Sequence, residues 1–445
     1  MLTFAHLWRC LTTLIIALAA IKFVPTLALA QPPLTLLEDQ TKPSSTTLYS
    51  PADKAINTDQ AFLYVSDYNL VRMNPDGTSI AMTSFGIENA VMEKYVSLSP
   101  NGQQVAFSTA PYPNPFPYHI YTVTVDGKNL TRLTHDALRG YGPIWSPDGS
   151  RLAFIGREDG AAIDSVYGHL YVMNADGSNP LRLIPEPIVT TPPLFWLPDS
   201  QRLLFTGYQQ INGQYLSDLY LVGADGSNLT RLTHDESPDI FHETLTLAPD
   251  GQAFLFIKSI GSTSDGDLYL GDVNGGDLRN LTASLDARVD YAAWSPDEQR
   301  IAITANPQDK EGKLPDGGSN MLFVVDRASA SITPLAQASC AYGPVWSPNG
   351  AKIGYSSFVF CDQQVSLFTI NRDGANPTRL SPAGFDGQFL AYAWSADNTE
   401  LIFAATVSER EGTDLYRVQA DGGNLTRLTP TSGRFQMRFV GWLPN

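Results

Sequence analysis

The chain is poor in the residues that build most chemical sites. Its 445 residues include three cysteines and six histidines. Cys10 lies in the first thirty residues, so Cys340 and Cys361 are the pair left for later chemistry. Their spacing fits no C-x-x-C pattern, which argues against a Cys/His zinc site. Basic residues are also scarce: 29 Lys and Arg stand against 45 Asp and Glu, a formal net charge of −16. Such a surface repels phosphate backbones and argues against a nucleic-acid partner. The sequence has no phosphate loop, no dinucleotide fingerprint and no strict G-x-S-x-G elbow. After residue 30 no apolar run is long enough to span a bilayer.

Apolar residues make up 43% of the chain and aromatics 11%. That is enough to form a core, and it excludes a disordered acidic chain. The first thirty residues read differently from the rest. His6 and Arg9 lead into the apolar run Leu11–Ile21, and Ala28-Leu-Ala30 closes the segment. A basic start, a short apolar stretch and an A-x-A ending read as a secretory signal peptide. The expected layout is a signal peptide at 1–30, a linker at 31–60 and one folded domain at 61–445. A periplasmic or secreted, monomeric protein is expected.

An internal repeat dominates the domain. One element reads Leu98-Ser-Pro-Asn-Gly102, Trp145-Ser-Pro-Asp-Gly149, Trp196-Leu-Pro-Asp-Ser200 and Leu247-Ala-Pro-Asp-Gly251. It continues as Trp294-Ser-Pro-Asp-Glu298, Trp346-Ser-Pro-Asn-Gly350, Trp394-Ser-Ala-Asp-Asn398 and Trp442-Leu-Pro-Asn445. A second element is an apolar strand, a D-G turn and a short strand, as in Leu170–Gly177 and Leu219–Thr233. Proline suits the second position of a type I turn, and glycine supplies the positive φ that ends it. Four short strands at a period of about fifty residues match a β-propeller blade.

Seven full units fit between about residues 95 and 434, and two fragments remain. Residues 61–84 supply strands two to four, and 435–445 supply a strand one. The expected fold is therefore an all-β propeller of eight four-stranded blades, the last closed by both chain ends. The recurrent tryptophans read as inter-blade packing, because leucine replaces them at positions 98 and 247.

The pair W-S-P-D-G-x-x-L-A-F and L-Y-x-x-x-x-D-G-S-N-x-x-R-L-T resembles the propeller repeat of the TolB family. It is clearest at Trp145–Phe154, Leu170–Asn179 and Asp225–Thr233, and the resemblance covers about 61–445. It implies a periplasmic protein that docks envelope proteins such as a peptidoglycan-associated lipoprotein. The family's propeller has six blades, whereas eight are counted here.

Short turns fall on one face of such a ring, and long variable loops on the other. Recognition concentrates on long loops. The candidate partner-binding residues there are Tyr112, Phe116, Tyr118, Tyr141, Phe241, Tyr291, Tyr342 and Phe385. Five histidines also fall on that face: His119, His135, His169, His234 and His242. Some pectin-fragment lyases bind a metal through histidines on a related propeller. Here four of the five sit on outer strands, so no metal or cofactor is expected. The motif inventory thus favours a non-enzymatic propeller that binds envelope proteins or polysaccharide. The alternative is a propeller lyase or hydrolase acting on oligosaccharides at the axial pocket. Cys340 and Cys361 flank one hairpin and are expected to form a disulfide.

Overall fold

A computed structural model describes most of residues 60–443; the gaps are 86–89, 111–117, 136, 159–166, 186, 212–213, 236, 261–265, 277, 308–319, 337–340, 360–363, 382–391, 407–412 and 430–437. The expected signal segment, the linker and both Cys340 and Cys361 lie outside the described residues. No helix among the described residues is long and apolar enough to cross a membrane.

Eight four-stranded antiparallel sheets form the ring of a β-propeller. Blades one to seven begin with the inner strands Ala90–Leu98, Leu138–Trp145, Ile188–Trp196, Ile240–Leu247, Ala287–Trp294, Ala341–Trp346 and Tyr392–Trp394. Blade eight joins Phe62–Ser66, Asn69–Met73 and Ser79–Ala81 to the C-terminal strand Arg438–Trp442. Phe62 pairs with Trp442 and Val65 with Arg438 across that seam.

Strand periodicity explains how the ring packs. Alternate residues point to opposite faces of a sheet, so each blade offers one apolar face to each neighbour. Phe62 and Tyr64 pack with Ile402 and Leu415 of blade seven. Leu63 and Val65 pack with Val105 and Phe107 of blade one. A buried apolar cluster of this kind fills each of the eight gaps between blades.

The tryptophans do inter-blade work. Trp145, Trp196, Trp294, Trp346 and Trp394 are all buried. Four donate an indole N–H to the preceding blade's inner strand. The acceptors are the carbonyls of Ser97, Ile144, Ala293 and Val345, at 3.0–3.2 Å. Each acceptor precedes that blade's own Trp or Leu by one residue, so the bond repeats around the ring.

The turns also meet their neighbours. The fifth residue of each S-P-D-G element has positive φ, including Ser200 (56°), Glu298 (58°) and Asn398 (68°). Where glycine is lost, the new side chain bonds back to the preceding turn. Ser200 Oγ accepts from the Asp148 N–H at 3.0 Å. Glu298 Oε1 accepts from Asp250 N–H and Asn398 Oδ1 from Asn349 N–H, both at 2.7 Å.

Candidate axial site

The inner strands line the ring's axis, and among the described residues seven of the eight are irregular at a similar height. The pairing slips between Val91 and Val96, Tyr141 and Ile144, Thr190 and Leu194, and Thr244 and Thr246. It slips again between Val289 and Tyr291, Tyr342 and Val345, and at Val440 opposite Leu63 and Tyr64. A bulge adds an unpaired residue, bends the strand and re-aims side chains. In blades two and six the sequence at the bulge is Tyr-Gly-Pro, with Gly142 at φ 65° and Gly343 at φ 55°. Glycine enters this region without the steric cost of a side chain.

Two groups of side chains gather there. Tyr95, Tyr118 and Tyr141 pack together, with the rings of Tyr118 and Tyr141 4.9 Å apart and those of Tyr95 and Tyr141 5.4 Å apart. Tyr118 and Tyr141 are buried. Burial pushes the Tyr118 hydroxyl up to about 12, against a smaller pull from Arg157. Burial also raises Tyr141 strongly.

The second group comes from blades four to seven. Tyr291 and Tyr342 are exposed, with rings 6.4 Å apart at 84°. Tyr392 donates to the carbonyl of Gly343 and lies 3.3 Å from that of Tyr342. Asp290, the extra residue of blade five, holds Asn320 Nδ2 at 2.8 Å and Arg288 Nε at 2.8 Å. Glu243 reaches solvent, yet desolvation by the surrounding protein raises its carboxyl, and Asp290 adds to the effect. An acid open to water but enclosed by protein suits the wall of an axial channel.

Of the candidate aromatics, Tyr118 and Tyr141 thus belong to the packed group and Tyr291 and Tyr342 to the open one. Phe241 is half-buried in the inner strand of blade four. Tyr112, Phe116 and Phe385 lie outside the described residues. Two of the outer histidines tie strands together: Arg132 contacts His119 and Arg182 contacts His169, each at 3.1 Å. Arg231 and Arg427 make the matching contacts to Asp218 and Asp414, at 2.7 and 2.9 Å. The R-L-T repeat is therefore a strand-four to strand-three tie. His242 lies within the inner strand of blade four, fully enclosed, rather than just before it. Among the described residues no three His, Cys, Asp or Glu side chains converge on one point.

Sequence reasoning missed Glu243, Asp290 and the bulges that aim them. The repeated Tyr-Gly-Pro before Trp145 and Trp346 is the signal that was available.

No family model matches the chain. The chain is 23% identical over 285 residues to "Tricorn protease homolog 1" of Streptomyces coelicolor, covering 63% of this chain and 24% of that one. It is 27% identical over 175 residues to the "Uncharacterized peptidase YuxL" of Bacillus subtilis, covering 39% and 23%. It is 26% identical over 301 residues to "Dipeptidyl-peptidase 5" of Porphyromonas gingivalis, covering 64% and 41%. The chain thus spans less than half the length of each of these relatives.

Among solved structures, one of two prolyl endopeptidases aligns with a TM-score of 0.55 at 15% identity, over 77% of this chain and 50% of the other. An oligogalacturonate lyase in complex with manganese aligns at 0.53 and 13%, over 81% and 95%. TolB from Acinetobacter baumannii also matches, at 0.36 and 19%, over 63% of each chain. At these identities the endopeptidase and lyase alignments show the shared propeller fold.

These findings correct the expectation of a non-enzymatic binder of envelope proteins or polysaccharide. The curated relatives that align over the blades are peptidases. The error has a physical source. A propeller repeat records blade packing and turn chemistry, which unrelated functions share.

Proposed function

We propose that the chain provides the propeller of a peptidase-type enzyme, and that the axial opening on the long-loop face receives peptide. The observation that carries this reading is that three curated relatives are all peptidases, two of them aligned over more than three-fifths of this chain. The opening offers chemistry suited to a peptide. Glu243 forms no hydrogen bond or ion pair with any described residue, and Tyr291 and Tyr342 stand exposed nearby in sequence-adjacent blades. A protonated amine or a basic side chain gains from a carboxylate and from aromatic faces together. The peptide's cationic group would sit against Glu243, with its neighbouring residues over the two rings.

The test is a parallel assay of the purified full chain. Fluorogenic aminoacyl, dipeptidyl and internally quenched peptides form one arm, and oligogalacturonate with and without manganese forms the other. Saturable binding or turnover of peptide is the expected result. Cleavage of oligogalacturonate with no response to any peptide would overturn the reading in favour of an oligosaccharide enzyme.

A further inference from the structure

Blade four departs from a rule that the other seven blades keep. Counting from the residue paired with each Trp or its Leu replacement, the fifth residue of the second strand is small everywhere else. It is Ser66, Thr109, Gly156, Gly207, Ala305, Ser357 and Ala405, whereas blade four has Lys258. Lys258 pairs across the sheet with His242. The equivalent inner-strand residues described in five other blades are Val91, Gly140, Thr190, Val289 and Ala341. Even a half-buried charge costs desolvation that small residues avoid, so packing alone does not ask for it here.

The geometry around His242 is closed. Its Nδ1 lies 2.6 Å from the Ser217 carbonyl oxygen of blade three. Its Nε2 lies 2.9 Å from Asp235 Oδ2, and Lys258 Nζ reaches Asp235 Oδ1 at 2.9 Å. Asp235 sits on the crossover between Thr230–Arg231, the last strand of blade three, and Ile240–Leu247. The other charged groups nearby are Glu243, next along the same strand, and Arg231, which pairs with Asp218 beside Ser217 at 2.7 Å and donates to the Asp235 carbonyl at 3.0 Å. The Phe256 ring, 6.0 Å away, covers the apolar side.

We propose that His242, Asp235 and Lys258 form a proton-operated clasp that holds the crossover from blade three to blade four. Both ring nitrogens face acceptors. A carbonyl oxygen never donates. Burial opposes ionisation of Asp235, but Lys258 and His242 together hold its carboxyl below the usual range. The ring therefore satisfies both contacts only while it carries two protons. When one proton leaves to solvent, a nitrogen lone pair faces an oxygen at under 3 Å. One of the two bonds is then lost inside a buried site, where an unmade bond is costly. The crossover loosens, and with it the end of the strand that carries Glu243 to the axis. The inference rests on this geometry and is independent of the peptidase reading.

Hydrogen exchange of the full chain, followed by mass spectrometry between about pH 5.5 and 8.5, tests the clasp. Rates are corrected for base catalysis. The fragment covering residues 237–243 is compared with the inner strand of blade five as an internal reference. Protection of 237–243 should fall about tenfold more than the reference as pH rises, the equivalent of one lost buried hydrogen bond. Asp235→Asn, whose amide serves either ring state, and His242→Gln, which does not titrate, should each flatten that fall. Equal protection at both ends of the range in the wild type would overturn the proposal. So would an unchanged fall in the two variants. The wild-type comparison decides by itself if a variant does not fold.

Discussion

At the scale of single residues, the tryptophan position separates two contributions that usually arrive together. Trp346 and Trp294 fill equivalent gaps and are about equally buried, at 7% and 8% exposed. Trp346 donates its indole N–H to Ala293 at 3.0 Å, whereas the Trp294 N–H meets no acceptor among the described residues. Arg327 instead lies over the Trp294 ring at 5.2 Å. Trp346→Phe should therefore cost about 1 kcal/mol more than Trp294→Phe, the net worth of one hydrogen bond. Denaturant unfolding of the two variants checks it; equal losses would mean that the N–H contact adds nothing. The packing role of these tryptophans was legible from their spacing and from the leucines that replace two of them. The clasp in blade four was half legible. Lys258 stands out in any alignment of the eight second strands, but its partner Asp235 comes from a crossover with no repeat to measure it against.

At the scale of elements, the turns were the easiest feature to read and the bulges the hardest. Asp-Gly and Pro-Asp-Gly specify turn geometry locally, and the structure places positive φ at the expected glycines. In the repeated D-G-x-N-L-T-R-L-T, Asn129, Asn228 and Asn424 also have positive φ, from 51° to 53°, a region where asparagine is enriched. A bulge depends on the count of residues between two paired strands, which a local motif does not report. The axial side chains were missed for that reason.

The turn aspartates also give the fold a dependence on pH at the acid end. The Thr124 hydroxyl and then Lys128 bring the Asp126 carboxyl down to about 2. Hydroxyls of Ser146, Ser178, Ser295 and Ser395 lead the same downward shift at Asp148, Asp176, Asp297 and Asp397. A carboxyl depressed in the folded state stabilises above its unfolded value, near 3.9, and that contribution is lost as pH falls through the folded value. The melting temperature should accordingly hold down to about pH 4 and then drop steadily towards about pH 2. A flat profile across that window would show that these turn bonds do not favour the ionised form.

At the scale of the whole molecule, closure of the ring by both chain ends was legible because the two fragments were complementary, and the Phe62–Trp442 pairing shows it. Removing residues 436–445 strips blade eight of its inner strand and exposes the faces that pack on blades seven and one. Because propeller blades depend on their neighbours, the truncated chain should melt well below the full one, with loss of a single cooperative transition. An unchanged melt would contradict the closure. Function was less legible than fold. The repeat describes how blades pack, and the acidic and aromatic wall of the axis arises from residues outside the repeated motifs.

The central claim is that this axis receives the cationic part of a peptide, and calorimetric titration tests it most directly. A short peptide with a free amino terminus and a basic side chain is titrated into the wild type, Glu243→Gln and Tyr291→Ala. The Glu243 carboxyl is raised, so affinity should strengthen as pH rises and the carboxylate forms. Removing its charge should weaken binding about tenfold, within the range for a charge-assisted contact, and erase that gain in affinity with pH. Loss of the Tyr291 ring should weaken binding less. Peptide affinity that is unchanged by Glu243→Gln and constant with pH, or no peptide binding by the wild type, would contradict the account.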